Sequence, residues 1–157
     1  MFTSLPKKDK ILVALQFTLF ILFILPFSWY TFEVGYNLKL FSYLAKIVGF
    51  FIIAISIFQL RKQLSPFPSP REGGKLIISG IFKYIRHPIY SGLLLLFFGF
   101  AFYQGSFYKM IIAFLLLILF YYKSIYEEKQ LSHKFKNYVN YRKDAGRFLP
   151  KIEIFQR

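Results

Sequence analysis

The sequence contains no cysteine, and acidic side chains are scarce, with 7 Asp and Glu against 21 Lys and Arg in 157 residues. The lack of cysteine excludes disulfide frameworks, cysteine-ligated zinc, iron–sulfur clusters and thiol nucleophiles. Only two histidines occur, His87 and His133, so no histidine-rich metal site is expected. The G-x-G-x-x-G, P-loop and G-x-S-x-G motifs are also absent, which removes the usual sequence signals of dinucleotide-binding, P-loop and α/β-hydrolase proteins.

Apolar and aromatic residues are abundant instead. Hydrophobic residues make up 56% of the chain and aromatic residues 22%, the mean hydropathy is +0.46 and the net charge is +14. Soluble domains contain about 45–50% apolar residues, and disordered chains contain fewer still. High hydropathy together with high positive charge predicts apolar segments in lipid and basic segments at an anionic membrane face. The length favours one domain, residues 1–157.

Four apolar runs predict transmembrane helices, at about residues 11–32, 40–60, 88–103 and 107–126. A bilayer core of about 30 Å requires about 20 helical residues, so the third run is marginally short. The linker Gln104-Gly105-Ser106 is so short that the last two spans should form a tight antiparallel hairpin. We therefore predict an all-α integral membrane protein with four transmembrane helices, a long cytoplasmic loop and a cytoplasmic C-terminal helical tail.

The positive charges are distributed asymmetrically between the loops. Three precede the first span, six lie in residues 61–87 and nine follow residue 122, whereas the two opposite loops contain only Lys39 and Lys109. The positive-inside rule then predicts a multi-pass protein of the cell membrane with both termini in the cytoplasm. Because this rule accounts for the charge, membrane lipids and not nucleic acid are the expected partners. The oligomeric state is left open.

The start of the third span carries Arg86, His87 and Pro88. Pro88 fits the first position of a helix, whose unpaired N–H groups lie beside two basic side chains and favour an anion. The alternative is a proline-started helix with cations at the membrane interface. His133 is expected to lie on the surface.

The end of the fourth span carries the adjacent acids Glu127 and Glu128. In one interpretation the helix continues into water and the acids lie on a solvated face, partnered by Lys123 and His133. In the other, the tight hairpin brings the acids to the basic start of the third span. Both signs of charge then meet at one place, as a zwitterionic ligand requires. Further along, Tyr138 and Tyr141 share a helical face, which an interfacial aromatic belt also explains.

Together these motifs resemble one family. The motifs are Gly80…Arg86-His87-Pro88-x-Tyr90-x-Gly92, Glu127-Glu128-x-x-Leu131, Phe135-x-x-Tyr138-x-x-Tyr141 and Arg147-Phe148-Leu149-Pro150, and they resemble the isoprenylcysteine carboxyl methyltransferase family, which includes the phospholipid methyltransferases. The resemblance covers roughly residues 40–150. It implies an integral-membrane methyltransferase that uses S-adenosylmethionine, releases S-adenosylhomocysteine and forms its cofactor pocket from the last two spans and the tail.

The resemblance also implies the site residues. The cofactor would be bound by Tyr84, Arg86, His87, Pro88, Tyr90, Gly92, Glu127, Glu128, Tyr138 and Tyr141. The catalytic side chains would be His87, Glu128, Arg142 and Arg147, and no metal is implied. The expected acceptor is a hydrophobic or amphiphilic small molecule that reaches the site from the bilayer and is methylated on a carboxylate, amine or thiol.

Methyl transfer is an in-line displacement at carbon, so catalysis depends mainly on positioning and desolvation. An amine or thiol acceptor would also need a base, for which Glu128 and His87 are the candidates. Two other functions stay open at this point. One is a membrane NADPH-dependent reductase related to the sterol reductases, and the other is a non-enzymatic membrane protein with the same fold.

Overall fold

A computed structural model describes residues 6–27, 30–70 and 73–151. Over these residues all regular structure is helical and no β-strand is formed, which confirms the all-α prediction. The five α-helices are α1 (Lys7–Ile24), α2 (Tyr36–Leu60), α3 (Pro88–Tyr103), α4 (Phe107–Lys134) and α5 (Tyr138–Asp144). Short 3-10 turns cover Arg61–Gln63 and Gly80–Lys83.

The helix limits agree with the predicted spans to different degrees. The limits of the third predicted helix, residues 88–103, are confirmed without change as those of α3. The first predicted span is too long, because α1 ends at Ile24 and the following Leu25 is extended, as a residue before proline prefers to be. Residues 28 and 29, which that span included, lie outside the described residues. The fourth span is longer than predicted, because α4 continues past the paired acids to Lys134.

Two helices, α2 and α4, are long and apolar enough to cross a bilayer, and α3 is a shorter apolar helix. Only 17% of the apolar part of α2 and 33% of that of α4 are buried within the protein. Large apolar side chains such as Phe41, Phe50 and Phe58 are exposed along α2. A helix of a soluble core would be mostly buried, so these surfaces indicate a membrane protein. The count of four spans and their orientation stay predictions.

Helices α2 and α3 cross closely because glycines occupy the contact. A Cβ atom on Gly49 would lie 2.7 Å from the carbonyl oxygen of Gly92, and one on Gly92 would lie 2.7 Å from that of Gly49. One end of this contact pairs Gly99 with the backbone of Ser42, so the two helices run antiparallel. Small residues allow this approach in membrane helices. The crossing fixes α3 and therefore the position of its first residues.

The predicted hairpin of α3 and α4 is confirmed. Gly105 turns the chain with a φ of 59°, and the Ser106 hydroxyl caps α4 by accepting a hydrogen bond from the Lys109 N–H at 3.3 Å. The core beside the hairpin is formed by Phe23 of α1 with Leu94, Ile112, Leu116 and Phe120. Because the turn is short, the start of α3 and the acidic part of α4 lie at the same end of the bundle.

Candidate functional site

The C-terminal tail pairs with the residues that precede α3. The N–H groups of Arg86 and His87 donate to the carbonyls of Gly146 and Arg147 at 2.8 and 3.1 Å, and Gly146 donates back to Tyr84 at 3.0 Å. Gly146 is required here, because a Cβ atom would lie 1.9 Å from the carbonyl oxygen of Leu149. This pairing brings the Arg147 side chain to the start of α3.

One face of α4 meets the start of α3. Residues 120, 123, 124, 127, 128 and 131 recur at helical spacing and therefore lie on one face of α4. The Tyr90 ring stacks on Phe120, with ring centres 4.6 Å apart, and on the His87 ring at 5.5 Å. The Tyr90 hydroxyl donates a hydrogen bond to Glu127. This three-ring stack sets the orientation of the imidazole relative to the acids.

Glu128 lies at the centre of a cation cluster, and its own side chain is only 3% exposed, whereas that of Arg142 at the edge of the cluster is 58% exposed. Arg86 Nη2 lies 3.0 Å from its Oε1 and His87 Nε2 lies 3.2 Å from the same oxygen. Arg147 donates to both carboxylate oxygens, at 3.1 and 3.2 Å, and Arg142 lies 3.6 Å away. Three guanidinium groups and an imidazole therefore surround one carboxylate.

Glu127 has a different environment. Its carboxylate lies 3.1 Å from His87 Nδ1, and its side chain is 16% exposed. It contacts one imidazole and the Tyr90 hydroxyl and forms no ion pair with a guanidinium among the described residues. The prediction that the acids meet Arg86 and His87 is confirmed, and the structure assigns the two acids different neighbours.

The electrostatics follow from this geometry. The apolar part of α4 ends near Tyr122, so Glu128 lies beyond it. Burial alone would raise the pKa of Glu128. Hydrogen bonds from His87 and Arg147 and the charges of His87 and Arg86 outweigh this effect and lower the pKa to about 2. Burial lowers the pKa of His87, whereas hydrogen bonds and charge from Glu127 and Glu128 raise it, and the net pKa lies above its ordinary value. The protonated imidazolium is therefore favoured.

A cavity of about 390 Å³ opens beside this cluster, within the range of small-molecule sites. Its walls are the start of α3, the face of α4 and α5, and its roof is formed by residues 63–70 and 74–77. Seven of the predicted cofactor residues line it, namely Arg86, His87, Pro88, Tyr90, Glu127, Tyr138 and Tyr141. The cavity joins the imidazole to one of the paired acids, as the zwitterion hypothesis requires.

Two tyrosines of the wall differ in hydrogen bonding. The Tyr141 hydroxyl donates to the Phe82 carbonyl at 2.5 Å, and burial raises its pKa to about 12. The Tyr138 hydroxyl is buried without a hydrogen-bond partner among the described residues, and burial raises its pKa as well. Tyr138 therefore presents a protonated, unpaired hydroxyl in the cavity wall, and buried polar groups are seldom left unpaired.

Five predicted site residues lie outside the cavity lining. Tyr84 is 57% exposed, and Gly92 lies in the crossing with α2. Glu128, Arg142 and Arg147 belong to the cation cluster behind the wall. Their assigned roles at the cofactor or acceptor stay predictions, while the contacts that the structure gives them are with the protein itself.

Gln16, Lys123 and the proline-rich residues 65–70 were not predicted to belong to the site. The helix continues past the acids to Lys134, as one interpretation predicted, but its solvated face is wrong, because Glu127 and Glu128 are only 16% and 3% exposed. Lys123, one of the two partners that it named, is itself 1% exposed, whereas His133 is exposed as predicted. Lys123 lines the cavity together with Gln16 of α1 and the proline-rich residues 65–70. Lys123 directly follows the apolar part of α4 and was counted among the basic residues of the tail, so the sequence did not single it out.

No curated protein matches the chain. A family model described as phospholipid methyltransferase matches residues 38–138, nearly two thirds of the sequence. The matched region contains α2 from its third residue onwards and all of α3 and α4, together with His87, Glu127 and Tyr138. The chain therefore belongs to the phospholipid methyltransferase family.

Proposed function

We propose that the protein is an integral-membrane methyltransferase that binds S-adenosylmethionine in the cavity beside His87 and Glu127. The acceptor is a hydrophobic or amphiphilic small molecule that arrives from the bilayer. The observation that carries the proposal is the cavity at the end of the apolar helical hairpin. Its polar wall includes Glu127 and the unpaired Tyr138 hydroxyl, and the loop of residues 63–70 covers it.

Glu127 is the acid that we assign to the cofactor's ammonium group. It lines the cavity, whereas Glu128 is surrounded by Arg86, Arg142, Arg147 and His87. A carboxylate with a pKa of about 2 is also a poor base, so Glu128 acts as the structural centre of the cluster. The Tyr138 hydroxyl has no hydrogen-bond partner among the described residues, so it can donate a hydrogen bond to the ligand or accept one from it.

Catalysis in this site rests on orientation and the exclusion of water. S-adenosylmethionine, when bound, supplies a methyl group on a positively charged sulfur. Residues 63–70 would cover the bound cofactor and exclude water, and the stacked rings of Tyr90 and His87 would help to orient it. Another part of the cavity wall is apolar and includes Ile57, Leu60 and Leu93. This part suits an acceptor with a hydrocarbon chain.

We further propose four spans with both termini in the cytoplasm. The site end of the bundle contains the start of α1 and the described parts of the loop after α2 and of the tail, and most of the basic residues of the sequence belong to these segments. The opposite end contains Glu33, Lys39 and the Gln104 turn. A reporter fused at Lys39 that proves cytoplasmic would overturn this orientation.

Isothermal titration of the detergent-purified protein with S-adenosylhomocysteine and with NADPH tests the function. We expect S-adenosylhomocysteine to bind and NADPH not to bind. Glu127→Gln should weaken binding about tenfold or more, because it removes one charge-assisted contact. Glu33→Gln, at the far end of the bundle, is the matched control and should bind as the unaltered protein does.

Each other outcome points elsewhere. Binding of NADPH alone would support a reductase, and binding of neither ligand would support a non-enzymatic protein. Full affinity in Glu127→Gln would show that the ammonium group binds outside this cavity.

A further inference from the structure

The two basic residues at the start of α3 have few donors left for a ligand. Four of the five N–H groups of Arg86 are directed at Glu128 and at the carbonyls of Arg142 and Ala145. Both ring nitrogens of His87 face Glu127 and Glu128. The carboxylate of a bound amino-acid group therefore needs a different partner.

Lys123 has the properties of that partner. Its Nζ donates to Gln16 Oε1 at 2.6 Å and to the Pro66 carbonyl at 2.8 Å, so two of its three N–H groups are used. The residue is 1% exposed and lines the cavity. The charges of Glu127 and Asp9 act on the Lys123 amine, but neither acid forms an ion pair with it among the described residues. Since burial has removed its hydration, the amine gains from a further anion in direct contact.

The position of Lys123 relative to Glu127 matches an α-amino acid. The two residues are four apart on α4, so they are neighbours on the same helical face, and both line the cavity. Their charges also act on each other electrostatically. An α-amino acid carries its ammonium and carboxylate on one carbon, so it requires an acid and a cation close together.

We propose that Lys123 is a ligand-binding residue that holds the carboxylate of the cofactor's amino-acid group while Glu127 holds the ammonium. This inference rests on the proposed function, because it takes S-adenosylmethionine as the ligand. Gln16 and the Pro66 carbonyl hold the Lys123 amine in place, and Gln16 lies on α1, outside the region that defines the family. The competing possibility is that Lys123 only ties α1 and the roof to α4.

A pair of ligands separates these two roles. S-adenosylhomocysteine contains the amino-acid group, whereas 5′-methylthioadenosine keeps the nucleoside and the sulfur but lacks it. We expect Lys123→Met to weaken S-adenosylhomocysteine binding about tenfold or more, the effect of losing one charge-assisted hydrogen bond, and to change 5′-methylthioadenosine binding less than about twofold. Lys109→Met, at the other end of α4, is the control and should change neither.

The outcomes distinguish the two proposals. If the unaltered protein binds no S-adenosylhomocysteine, the proposed function is wrong. If it binds and Lys123→Met weakens both ligands equally or weakens neither, the ligand-binding role of Lys123 is overturned and the function stands. Should Lys123→Met fail to fold, Gln16→Leu decides the question, because it keeps the amine but removes one of its supports. A selective loss for S-adenosylhomocysteine of about threefold or more would support the role, and an unchanged ratio would overturn it.

Discussion

Replacement of Glu128 by glutamine removes the charge at the centre of the cation cluster and keeps the size of the side chain. Arg86, Arg147 and His87, which lie within 3.2 Å of the carboxylate, would then face one another around a neutral amide. Breaking a buried ion pair on one side costs about 3–5 kcal/mol, because the remaining charge is left uncompensated.

The pKa of Glu128 gives a second magnitude for the same contacts. It falls from 4.5 to about 2 in the folded protein, and this difference corresponds to about 3 kcal/mol of stability at neutral pH. For a chain of this length, a loss of about 3 kcal/mol lowers the thermal midpoint by roughly 6–12 °C. We therefore expect Glu128→Gln to unfold at a clearly lower temperature than the unaltered protein.

The assay is thermal unfolding in detergent, followed by circular dichroism at neutral pH. Glu33→Gln is the matched control and should keep the midpoint. The pH dependence adds a second measurement, because a lowered pKa gives stability that is present above pH 4.5 and is lost as the pH falls towards 2. Glu128→Gln should lack this acid-side loss. A midpoint equal to that of the unaltered protein, together with lost ligand binding, would refute the structural role and place Glu128 in the ligand site.

Three further predictions concern neighbouring features. The pKa of His87 is raised, so protonated His87 stabilises the fold fully below pH 6.5, and this stability is lost as the pH rises from 6.5 through the raised pKa. In unfolding experiments, His87→Gln should abolish this loss of stability with rising pH. Tyr138→Phe removes a buried hydroxyl that has no partner, so the thermal midpoint should stay or rise while S-adenosylhomocysteine affinity, measured by titration, falls roughly threefold to tenfold. Gly92→Val places side-chain atoms against Gly49 and Ile53 of α2, so thermal unfolding should show a loss of about 1–3 kcal/mol or more.

The meeting of opposite charges at one end of the hairpin could be predicted from the sequence. A linker of three residues between two apolar runs leaves an antiparallel pair as the only compact arrangement, so residues before the first run and after the second must be neighbours. The structure places His87 3.1 and 3.2 Å from the two acids accordingly. The start of α3 could also be predicted, because Pro88 fits the first position of a helix and α3 begins there.

The sequence could not show that Glu127 lines the cavity while Glu128 pairs with the arginines. Consecutive residues on a helix point about 100° apart, since a turn contains 3.6 residues. Which of the two faces a cavity depends on the rotation of α4 about its axis. That rotation is set by Phe120 against Tyr90 and by the tail, whose backbone pairs with residues before α3. These contacts join residues that are far apart in the sequence, and no local pattern encodes them.

The contribution of α1 to the site could not be predicted from the sequence either. Hydropathy alone describes α1 as a generic apolar helix, yet its buried residues include Asp9 and Gln16. Asp9 Oδ2 accepts a hydrogen bond from the Ser69 N–H at 3.1 Å, and Gln16 binds the Lys123 amine, which also binds the Pro66 carbonyl. Because polar groups buried in an apolar helix are costly unless paired, their partners show what the helix holds. Here the partners are the roof of the cavity and the one buried lysine of α4, so α1 supports the site even though it lies outside the family match.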